Sequence, residues 1–369
     1  MDQVRFSPVR GRGRQGRVTI ADVADLAGVS TSTASLAFRA PDRVQEATRR
    51  GILDAAEALG YEGPHPVASS LRSGRTGIVG IVITDRIQRA FGNPVAQATM
   101  NGLAEVLDRE GYGMLLLPGR DPRSGGPVLL RTLPVDAIVF ATRGEAADAL
   151  LPVGRARGVP MVGVEGPHES DVTVVDVDDR RGMAELAGFV AALGHTRIAV
   201  VMRRTTMGPE HPPGPPRPIG ADLDAIANPT IRGRLEAVAE AFPHAVRVEA
   251  GGRDAAAGAA AARVLLDHPT APTAILAQND LLALGALQAA RERGLRVPED
   301  LTVTGFDGIE LPGLDRTLTT VRQPLHERGR TAGELVTALL RGERPESVVL
   351  PVELVPGQTA GPPPAFDAR

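Results

Sequence analysis

The sequence predicts an α/β protein with parallel sheets, preceded by a small helical domain at the N-terminus. From Gly77 onward, short runs of apolar and β-branched residues alternate with helical hydrophobic patterns, which is typical of parallel sheets whose strands are buried on both faces. Before Gly77, two short helical patterns are joined by a glycine turn. The second region holds about a dozen strand and helix segments, too many for one ordinary sheet, so we expect two Rossmann-like subdomains.

The charge of the chain is unevenly distributed. The formal net charge is −3, but residues 1–76 carry eleven arginines against eight carboxylates, which is +3 for this region and −6 for the remainder. Such an imbalance is typical of a DNA-binding module joined to a neutral or acidic sensor domain.

Several functional classes are excluded by residues that the sequence lacks. Cysteine and lysine are both absent, which excludes disulfides, thiolate catalysis, cysteine-ligated zinc, a Walker A lysine and Schiff-base chemistry. No apolar run approaches the ~18–20 residues that span a bilayer. The N-terminus shows no apolar core of a signal peptide, so we expect a cytoplasmic protein without a membrane partner.

The first 17 residues form a basic segment with five arginines and no helical or strand period. Gly11, Gly13 and Gly16 match the GxGxxG pattern, but no strand precedes them, so the match does not indicate a dinucleotide site. We expect a disordered arm; an arm that follows DNA phosphates is the functional alternative.

Residues 18–38 have the pattern of a helix-turn-helix. Thr19 and the acidic residue three positions later form a helix-start signal, Gly28 allows a sharp turn, and Ser30 can cap a second helix over Thr31–Phe38. A helix-turn-helix places its second helix in the major groove of DNA. By pattern alone, a small helical hairpin without DNA function fits equally well.

A third helix is predicted at Glu46–Leu59, after a turn at Pro41-Asp42, and it would close a three-helix domain. The residues expected to face inward are Ile52, Leu53, Ala56 and Leu59. Residues 61–76 contain two prolines and a run of small residues, which by themselves indicate a linker.

The remaining chain alternates between strand and helix patterns. Strands are predicted at Gly77–Ile83, Met114–Leu117, Ala137–Phe140, Met161–Val164, Ile198–Met202, Ala274–Ala277 and Leu301–Gly305. Helices are predicted at Val95–Glu110, Glu145–Arg157, Asp179–Leu193, Ile231–Phe242, Ala255–Leu266 and Leu281–Arg293. Ligands of such folds bind at the carboxyl ends of the strands, here in the cleft between the subdomains. The proline-rich segment 204–229 has no period and is predicted to be a surface loop, with a lid over the cleft as the alternative.

Six sequence blocks, in this order, resemble the lactose-repressor family of bacterial transcription regulators. They are Val18–Phe38, Leu59–Tyr61 with Ala68–Thr76, Leu193–Ala199, Gln278–Leu287, Val297–Gly308 and Leu318–Pro324. The resemblance implies a homodimeric repressor in which each headpiece binds half of a palindromic operator and a hinge helix forms on DNA. It also implies a periplasmic-binding-protein-like core that senses a small molecule.

The resemblance also implies a set of DNA-binding residues. Thr31, Ser32 and Leu36 would read bases, and Thr19, Ser30, Thr33 and Ser35 would contact phosphates. Leu71 matches the hinge leucine that wedges into the minor groove, Ala68 matches the small residue beside it, and Arg39 and Arg72 complete the set. Two residues depart from the family pattern, because Leu36 stands where arginine is usual and Arg39 where asparagine is usual. Leu36 could contact a thymine methyl group or belong to the headpiece core.

The expected effector site combines carboxyl-end positions with family matches. Its residues are Phe91, Glu165, Arg234, Arg253, Asn279, Asp307 and Gln323. Arg234 matches the effector arginine of the family, and Arg253 and Leu325 stand where sugar-binding members usually have aromatic residues. Two arginines near one ligand would favour an anionic effector, such as a sugar acid or sugar phosphate, over a neutral sugar. The structural alternatives are a rim charge for Glu165, a turn residue for Asp307 and a helix cap for Asp280.

Two rival functions also suit an α/β fold, an enzyme and a solute-binding protein. The sequence contains no GxSxG, HExxH or P-loop pattern, and its seven histidines show no metal-ligand spacing, so we expect no catalytic residue, metal or cofactor. His195 is expected to pack or to form local hydrogen bonds. A solute-binding protein would need an export signal and would leave the helix-turn-helix unexplained.

The expected domains follow from these patterns. They are an arm at 1–17, a headpiece at 18–63, a hinge at 64–76, a first core subdomain at 77–177 with 325–352, and a second at 178–324 with 353–369. The C-terminal tail lacks heptads, so we expect a dimer formed through the core rather than a tetramer.

Overall fold

A computed structural model describes residues 18–63, 74–83, 87–119, 128–141, 145–204, 214–220, 222–226 and 228–365. The expected basic arm and the hinge residues Ala68, Leu71 and Arg72 lie outside these ranges, and their predicted roles remain predictions. The chain divides into two compact units, Met1–Thr76 and Gly77–Arg369.

The first unit is the predicted three-helix domain, with helices α1 (Ile20–Leu26), α2 (Thr31–Arg39) and α3 (Glu46–Leu59). A short 3-10 turn at Pro41–Arg43 separates α2 from α3. Its buried core consists of Val23, Ala24, Ala34, Ala37, Ile52, Ala55 and Ala56. The expectation for Leu53 was wrong, because 37% of this residue is exposed while its neighbour Ile52 fills the core.

Local hydrogen bonds set the ends of the first two helices. Thr19 and Asp22 form a complete capping box at α1, and the Ser30 hydroxyl accepts a hydrogen bond of 3.1 Å from the Thr33 amide at the start of α2. Gly28 takes the left-handed conformation, with φ of 64°, that the turn requires. The predicted helix-turn-helix geometry is therefore confirmed at each of its three signal positions.

The second unit alternates strands and helices along its length. Its strands are β1 (Ile78–Ile83), β2 (Gly113–Pro118), β3 (Ala137–Phe140), β4 (Met161–Val164), β5 (Thr173–Val177), β6 (Ile198–Met202), β7 (Arg217–Ile219), β8 (Val246–Glu249), β9 (Ala274–Ala277), β10 (Thr302–Thr304), β11 (Thr320–Arg322), β12 (Val348–Leu350) and β13 (Glu353–Val355). Its helices are α4 (Ile87–Phe91), α5 (Pro94–Arg109), α6 (Val128–Thr132), α7 (Glu145–Arg157), α8 (Asp179–Ala192), α9 (Pro229–Ala241), α10 (Ala255–Leu266), α11 (Asp280–Glu292) and α12 (Leu325–Leu340).

These strands build the two parallel sheets that the sequence predicts. A six-stranded sheet has the order β12-β5-β4-β3-β1-β2, and its described pairings are all parallel. A five-stranded sheet has the order β10-β9-β6-β8-β7 and is parallel except at β7. A third sheet consists of two antiparallel strands, β11 and β13.

The proline-rich segment 204–229 is not entirely without regular structure, contrary to expectation. Residues Arg217–Ile219 form the edge strand β7, which pairs antiparallel with β8. Pro218 is tolerated there because an edge strand does not need every amide for pairing. The sequence analysis also missed the strands β5, β8 and β12, the strand pair β11–β13, and the helices α4, α6 and α12.

Helices α5 and α12 approach each other closely because glycines face the partner backbone. A Cβ atom added at Gly329 would lie 1.8 Å from the carbonyl oxygen of Thr99, and one added at Gly102 would lie 2.0 Å from that of His326. This approach brings Arg328 against Thr99, whose hydroxyl accepts a hydrogen bond of 2.8 Å from the Arg328 guanidinium. The helix contact therefore positions Arg328, which also lines the cavity of this unit.

We predict that Gly329→Ala destabilises the protein. Alanine favours helices by about 1 kcal/mol over glycine, but the added methyl group meets backbone atoms that cannot rotate away, and such overpacking typically costs about 1–3 kcal/mol. The measurement is the urea midpoint of unfolding. Gly188→Ala in α8 is the matched control, because no atom lies within 4 Å of its added Cβ, and it should leave stability unchanged or raised. Equal midpoints for the two variants would contradict the prediction.

Candidate functional site

The first candidate surface is the exposed side of α2 together with the residues that cap the headpiece helices. Five of the residues expected to contact DNA are exposed, namely Thr19, Ser30, Thr31, Ser32 and Arg39. Thr33 is half-buried, and its hydroxyl shares a hydrogen bond of 2.7 Å with that of Ser30. Ser35 is only 5% exposed and is buried with the alanines of α2. Its hydroxyl is therefore not available for the phosphate contact that the sequence analysis expected.

Leu36 is half-buried on α2. It is not among the described residues that form the headpiece core or pack against it. Its carbonyl receives the Ala40 amide at 2.8 Å, which ends the helix. The alternative in which Leu36 serves only as a core residue is therefore not favoured by the packing.

The second candidate site is a cavity of about 770 Å³, measured with its open mouth, between the two sheets of the second unit. Its lining residues come mainly from the carboxyl ends of strands and the first turns of helices: Asn93, Val95, Ala96, Thr99, Ala141, Val164, Glu165, Arg203, Asn228, Thr230, Arg253, Asn279, Asp307, Gln323 and Arg328. Five of the seven residues expected from the sequence lie together here, namely Glu165, Arg253, Asn279, Asp307 and Gln323.

Two further positions expected in the cleft do not line the cavity. Phe91 is 56% exposed at the end of α4, and its carbonyl oxygen accepts a hydrogen bond from the side-chain amide of Gln97. Leu325, which matches an aromatic position of the family's cleft, is buried at the start of α12 and is not part of the lining.

Arg234, the other expected effector residue outside the lining, is fully buried and is used within the protein. Its guanidinium forms an ion pair with Asp179, donates a hydrogen bond of 2.6 Å to the carbonyl of Gln278, and lies 3.6 Å from the ring centroid of Phe306. Gln278 in turn accepts the Arg203 amide at 3.1 Å. Arg234 therefore supports the turns that carry cleft residues instead of reaching the cavity wall.

Glu165 forms an ion pair with Arg328, a residue that sequence analysis missed. Arg328 is 4% exposed and Glu165 is 18% exposed, so the pair is largely removed from water. Arg328 also donates hydrogen bonds to Gln323 at 3.1 Å and to Thr99 at 2.8 Å. The rim-charge interpretation of Glu165 was wrong, because its carboxylate is held by a buried cation from α12.

Asp307 is buried beside Gln323, whose side-chain amide donates a hydrogen bond of 2.6 Å to it. Burial raises the pKa of Asp307 to about 7, and the nearby negative charge of Asp280 adds to this shift. Asp307 also has φ of 134°, a strained conformation for a non-glycine residue. Its burial, its hydrogen bond with Gln323 and its place in the cavity lining therefore argue against the interpretation of Asp307 as only a turn residue.

The helix-cap interpretation of Asp280 was wrong. Asn279 caps α11, since its side-chain oxygen accepts the Leu282 amide at 2.7 Å. Asp280 instead accepts hydrogen bonds from the Ile309 amide at 2.8 Å and from the Thr320 hydroxyl at 2.5 Å. It joins the loop after β10 to β11.

Arg203 and Arg253 give the cavity a positively charged part of its lining. Arg203 directly follows β6, and burial lowers its pKa to about 10, with further lowering by the positive charges of Arg234 and Arg253. Its Nε atom is buried and has no hydrogen-bond partner among the described residues. Sequence analysis did not single out Arg203, although its place after a predicted strand is the signal that identified Glu165 and Asp307.

His195 lies outside the cleft and has a structural role. Its ring bridges the Thr273 hydroxyl at 2.9 Å and the Gly361 carbonyl at 2.8 Å, which are distant in sequence although the contacts were expected to be local. Within the described ranges, no group of His, Cys, Asp and Glu could hold a metal ion. No helix in those ranges is long and apolar enough to cross a membrane.

Comparisons with protein families match both units of the chain. Residues 19–63 match the model of bacterial regulatory proteins of the lacI family, and residues 187–360 match a periplasmic binding protein-like domain. An HTH-type transcriptional regulator of Mycolicibacterium smegmatis is 38% identical over 361 residues, covering 94% of this chain and 97% of the relative. The HTH-type transcriptional regulator IpsA of Corynebacterium glutamicum is 30% identical and covers 93% of this chain and 98% of the relative.

Solved structures show the same architecture. The transcriptional regulator CelR in complex with cellobiose has a TM-score of 0.63 at 26% identity, covering 93% of this chain and 100% of that one. The lac repressor dimer bound to operator and an anti-inducer has a TM-score of 0.72 at 24% identity, covering 94% and 100%. At that identity the second likeness shows the fold alone.

We predict that Asp307→Asn removes a pH dependence of stability. Between the ordinary pKa of 3.8 and the raised pKa of about 7, the folded state keeps a proton that the unfolded state releases. The free energy of unfolding of the natural protein therefore falls as pH rises through this window, by at most about 4 kcal/mol from this group. Asparagine retains the acceptor for Gln323 and carries no charge, so the variant should lose this part of the decline.

Urea unfolding at pH 5 and pH 8 measures the effect, with Asp315→Asn as a control at an exposed aspartate. An unchanged difference between the two pH values in Asp307→Asn would contradict the raised pKa.

Proposed function

The chain belongs to the lacI family of bacterial regulatory proteins, and from this premise we propose that it is a repressor that binds a palindromic operator as a homodimer. We further propose that a small polar effector in the cleft controls its affinity for that operator. The observation that carries the proposal is the pairing of a capped helix-turn-helix with a polar cavity between two parallel sheets. Because operator DNA lies in the bacterial cytoplasm, we place the protein there.

The proposed DNA contacts are made by α2 and by the caps of the headpiece helices. Thr31, Ser32 and Arg39 are exposed on α2 and are the groups available to reach base edges or phosphates. A recognition helix reads only a few base pairs, and helix-turn-helix proteins gain affinity and specificity by pairing two headpieces on half-sites about one helical turn apart. This supports the homodimer and the two-fold operator.

The hinge is the second part of the proposed DNA interface. Leu71 would insert between base pairs in the minor groove, with Ala68 and Arg72 beside it. Partial unstacking costs a few kcal/mol, which additional contacts to bent DNA offset.

The proposed effector is a sugar or a sugar derivative. The cavity presents amides, carboxyl groups and guanidinium groups, which suit a ligand with many hydroxyls because each buried polar group rejects ligands that lack its complement. The CelR relative was solved with cellobiose, which supports a carbohydrate-like ligand class for this fold. The sequence has no tryptophan, so hydrogen bonds would have a larger share in recognition than ring stacking.

The effector would act by preferring one arrangement of the core over another. A ligand can shift such an equilibrium only by its difference in affinity for the two arrangements, so release of DNA and tightening on DNA are both open to this design. The protein would repress transcription when it is bound to DNA, whichever way the effector shifts its affinity.

The proposed function is tested by selecting binding sites for the purified protein from random duplex DNA. The expected result is a two-fold symmetric sequence, bound in gel shifts by a complex with the mass of a dimer and retained against scrambled competitor at moderate salt. The Arg39→Ala variant should bind more weakly, whereas Arg344→Ala, which removes an equal exposed charge from the second unit, should bind as the natural protein does. Failure to enrich any sequence, or equal binding of scrambled DNA, would contradict the proposal.

Leu36 is predicted to change the operator at one base pair of each half-site. Leucine cannot form the paired hydrogen bonds by which arginine discriminates guanine, which are worth about 1–3 kcal/mol. Sites selected by the natural protein should therefore lack the guanine preferred by family members with arginine, and Leu36→Arg should restore it. Guanine at that base pair in sites selected by the natural protein would show that another residue determines it.

A further inference from the structure

We propose that the cleft binds a small polyol bearing one anionic group, a phosphate monoester or a carboxylate, and that Arg203 is the principal anchor of this group. The inference rests on the proposed function only in taking the cleft as the effector site. It adds a charge requirement and assigns it to Arg203.

The first support is the charge balance of the cavity lining. Among the described residues that line it, three arginines, Arg203, Arg253 and Arg328, stand against two carboxylates, Glu165 and Asp307. Arg328 and Glu165 form an ion pair with each other and so neutralise each other. Arg203 and Arg253 carry the other two positive charges of this described set, while burial favours the neutral form of Asp307. A neutral Asp307 does not repel an anion and can donate a hydrogen bond to it.

The second support is the environment of Arg203. Its Nε atom is buried without a hydrogen-bond partner among the described residues. Burial and the positive charges of Arg234 and Arg253 lower its pKa, and the smaller effects of the Glu165 and Asp307 charges raise it. Arg234 is already paired with Asp179. Leaving a guanidinium in such a place is unfavourable unless an anion compensates it, and a guanidinium binds phosphate or carboxylate through paired hydrogen bonds.

The third support is the backbone around Arg203. Asn228 and Thr230, at the start of α9, line the same cavity, and Asn279 lines it at the start of α11. Helix N-termini carry partial positive charge and favour anions near them. Two such termini therefore act in the same direction as the arginine side chain.

The polyol part of the ligand is assigned to the amide and carboxyl groups of the lining. Asn279, Asp307 and Gln323 offer amide and carboxyl groups, and Gln323 is held in place by Arg328 at 3.1 Å.

The primary test uses inorganic phosphate as the probe, with chloride at matched ionic strength as the reference. The measurement is the shift in the thermal unfolding midpoint of the full-length protein, compared among the natural protein, Arg203→Gln and Arg180→Gln. Arg180 is an exposed residue of α8 outside the cavity lining, so its variant is the matched control for loss of one charge. We expect phosphate to raise the midpoint of the natural protein and of Arg180→Gln, and to have little effect on Arg203→Gln.

Without any ligand, Arg203→Gln should unfold at a higher midpoint than the natural protein, because it removes a buried charge that like charges repel. This second measurement shows that the variant is folded and reports on the same electrostatic cause. Equal shifts by phosphate in all three proteins would overturn the proposal, since they would indicate binding elsewhere. No shift in the natural protein would overturn it as well.

A calorimetric titration then distinguishes the two sources of the anionic group and tests the polyol. The probes are glucose 6-phosphate, gluconate and glucose, together with myo-inositol 1-phosphate and myo-inositol. We expect at least one anionic probe to bind more tightly than its neutral counterpart by about tenfold or more, and Arg203→Gln to abolish that advantage. Neutral probes that bind as tightly as anionic ones would overturn the anion requirement. That result would leave operator selection, and hence the proposed function, untouched.

Discussion

The buried ion pair between Arg328 and Glu165 is the interaction on which the geometry of the cleft depends. It joins α12 to the end of β4, and the same guanidinium reaches Gln323 and Thr99. Gln323 in turn donates a hydrogen bond to Asp307. One cation therefore orients side chains that follow strands in both parallel sheets. Removing one partner of such a pair typically costs about 3–5 kcal/mol, because the other charge is left buried. The arrangement of these cleft side chains therefore depends on polar contacts.

The helix contact beneath this pair explains why it can form. Arg328 is followed by Gly329, and the absence of a side chain there lets α12 press against α5 at Thr99. With a bulkier residue the two helices would separate and the guanidinium would lose its hydroxyl acceptor. Packing and electrostatics are thus coupled at one turn of α12. A substitution of Gly329 that separates the helices would therefore also disturb the cleft.

Because several ionisable groups are buried in one cavity, the protonation state of each depends on the charges of the others. Asp307 is shifted towards its neutral form, while Arg203 remains positive although its pKa is lowered. A ligand that brings a negative charge would relieve the repulsion among the arginines, and this relief would extend to groups attached to both sheets. Such a ligand could have different affinities for different arrangements of the sheets, which is the physical requirement for control of a distant headpiece.

The sequence by itself determined the elements whose cause is local. Capping residues, Gly28 and the helical spacing placed the headpiece helices, and buried β-branched runs placed most strands, because these signals act within a few residues. The rule that ligands bind at the carboxyl ends of parallel strands also predicted that Glu165, Asn279, Asp307 and Gln323 share one site, and they do.

Only the tertiary structure decided how the charges in that site are paired. Arg328 reaches Glu165 across 163 positions of sequence, Arg234 is taken up by Asp179 and Phe306, and Phe91 lies outside the cavity. The sequence pointed to Arg234 and not to Arg203 as a ligand contact, whereas the fold pairs Arg234 with Asp179 and places Arg203 in the cavity lining. Pairing, desolvation and exposure depend on neighbours brought together by packing, and no local pattern of residues records those neighbours.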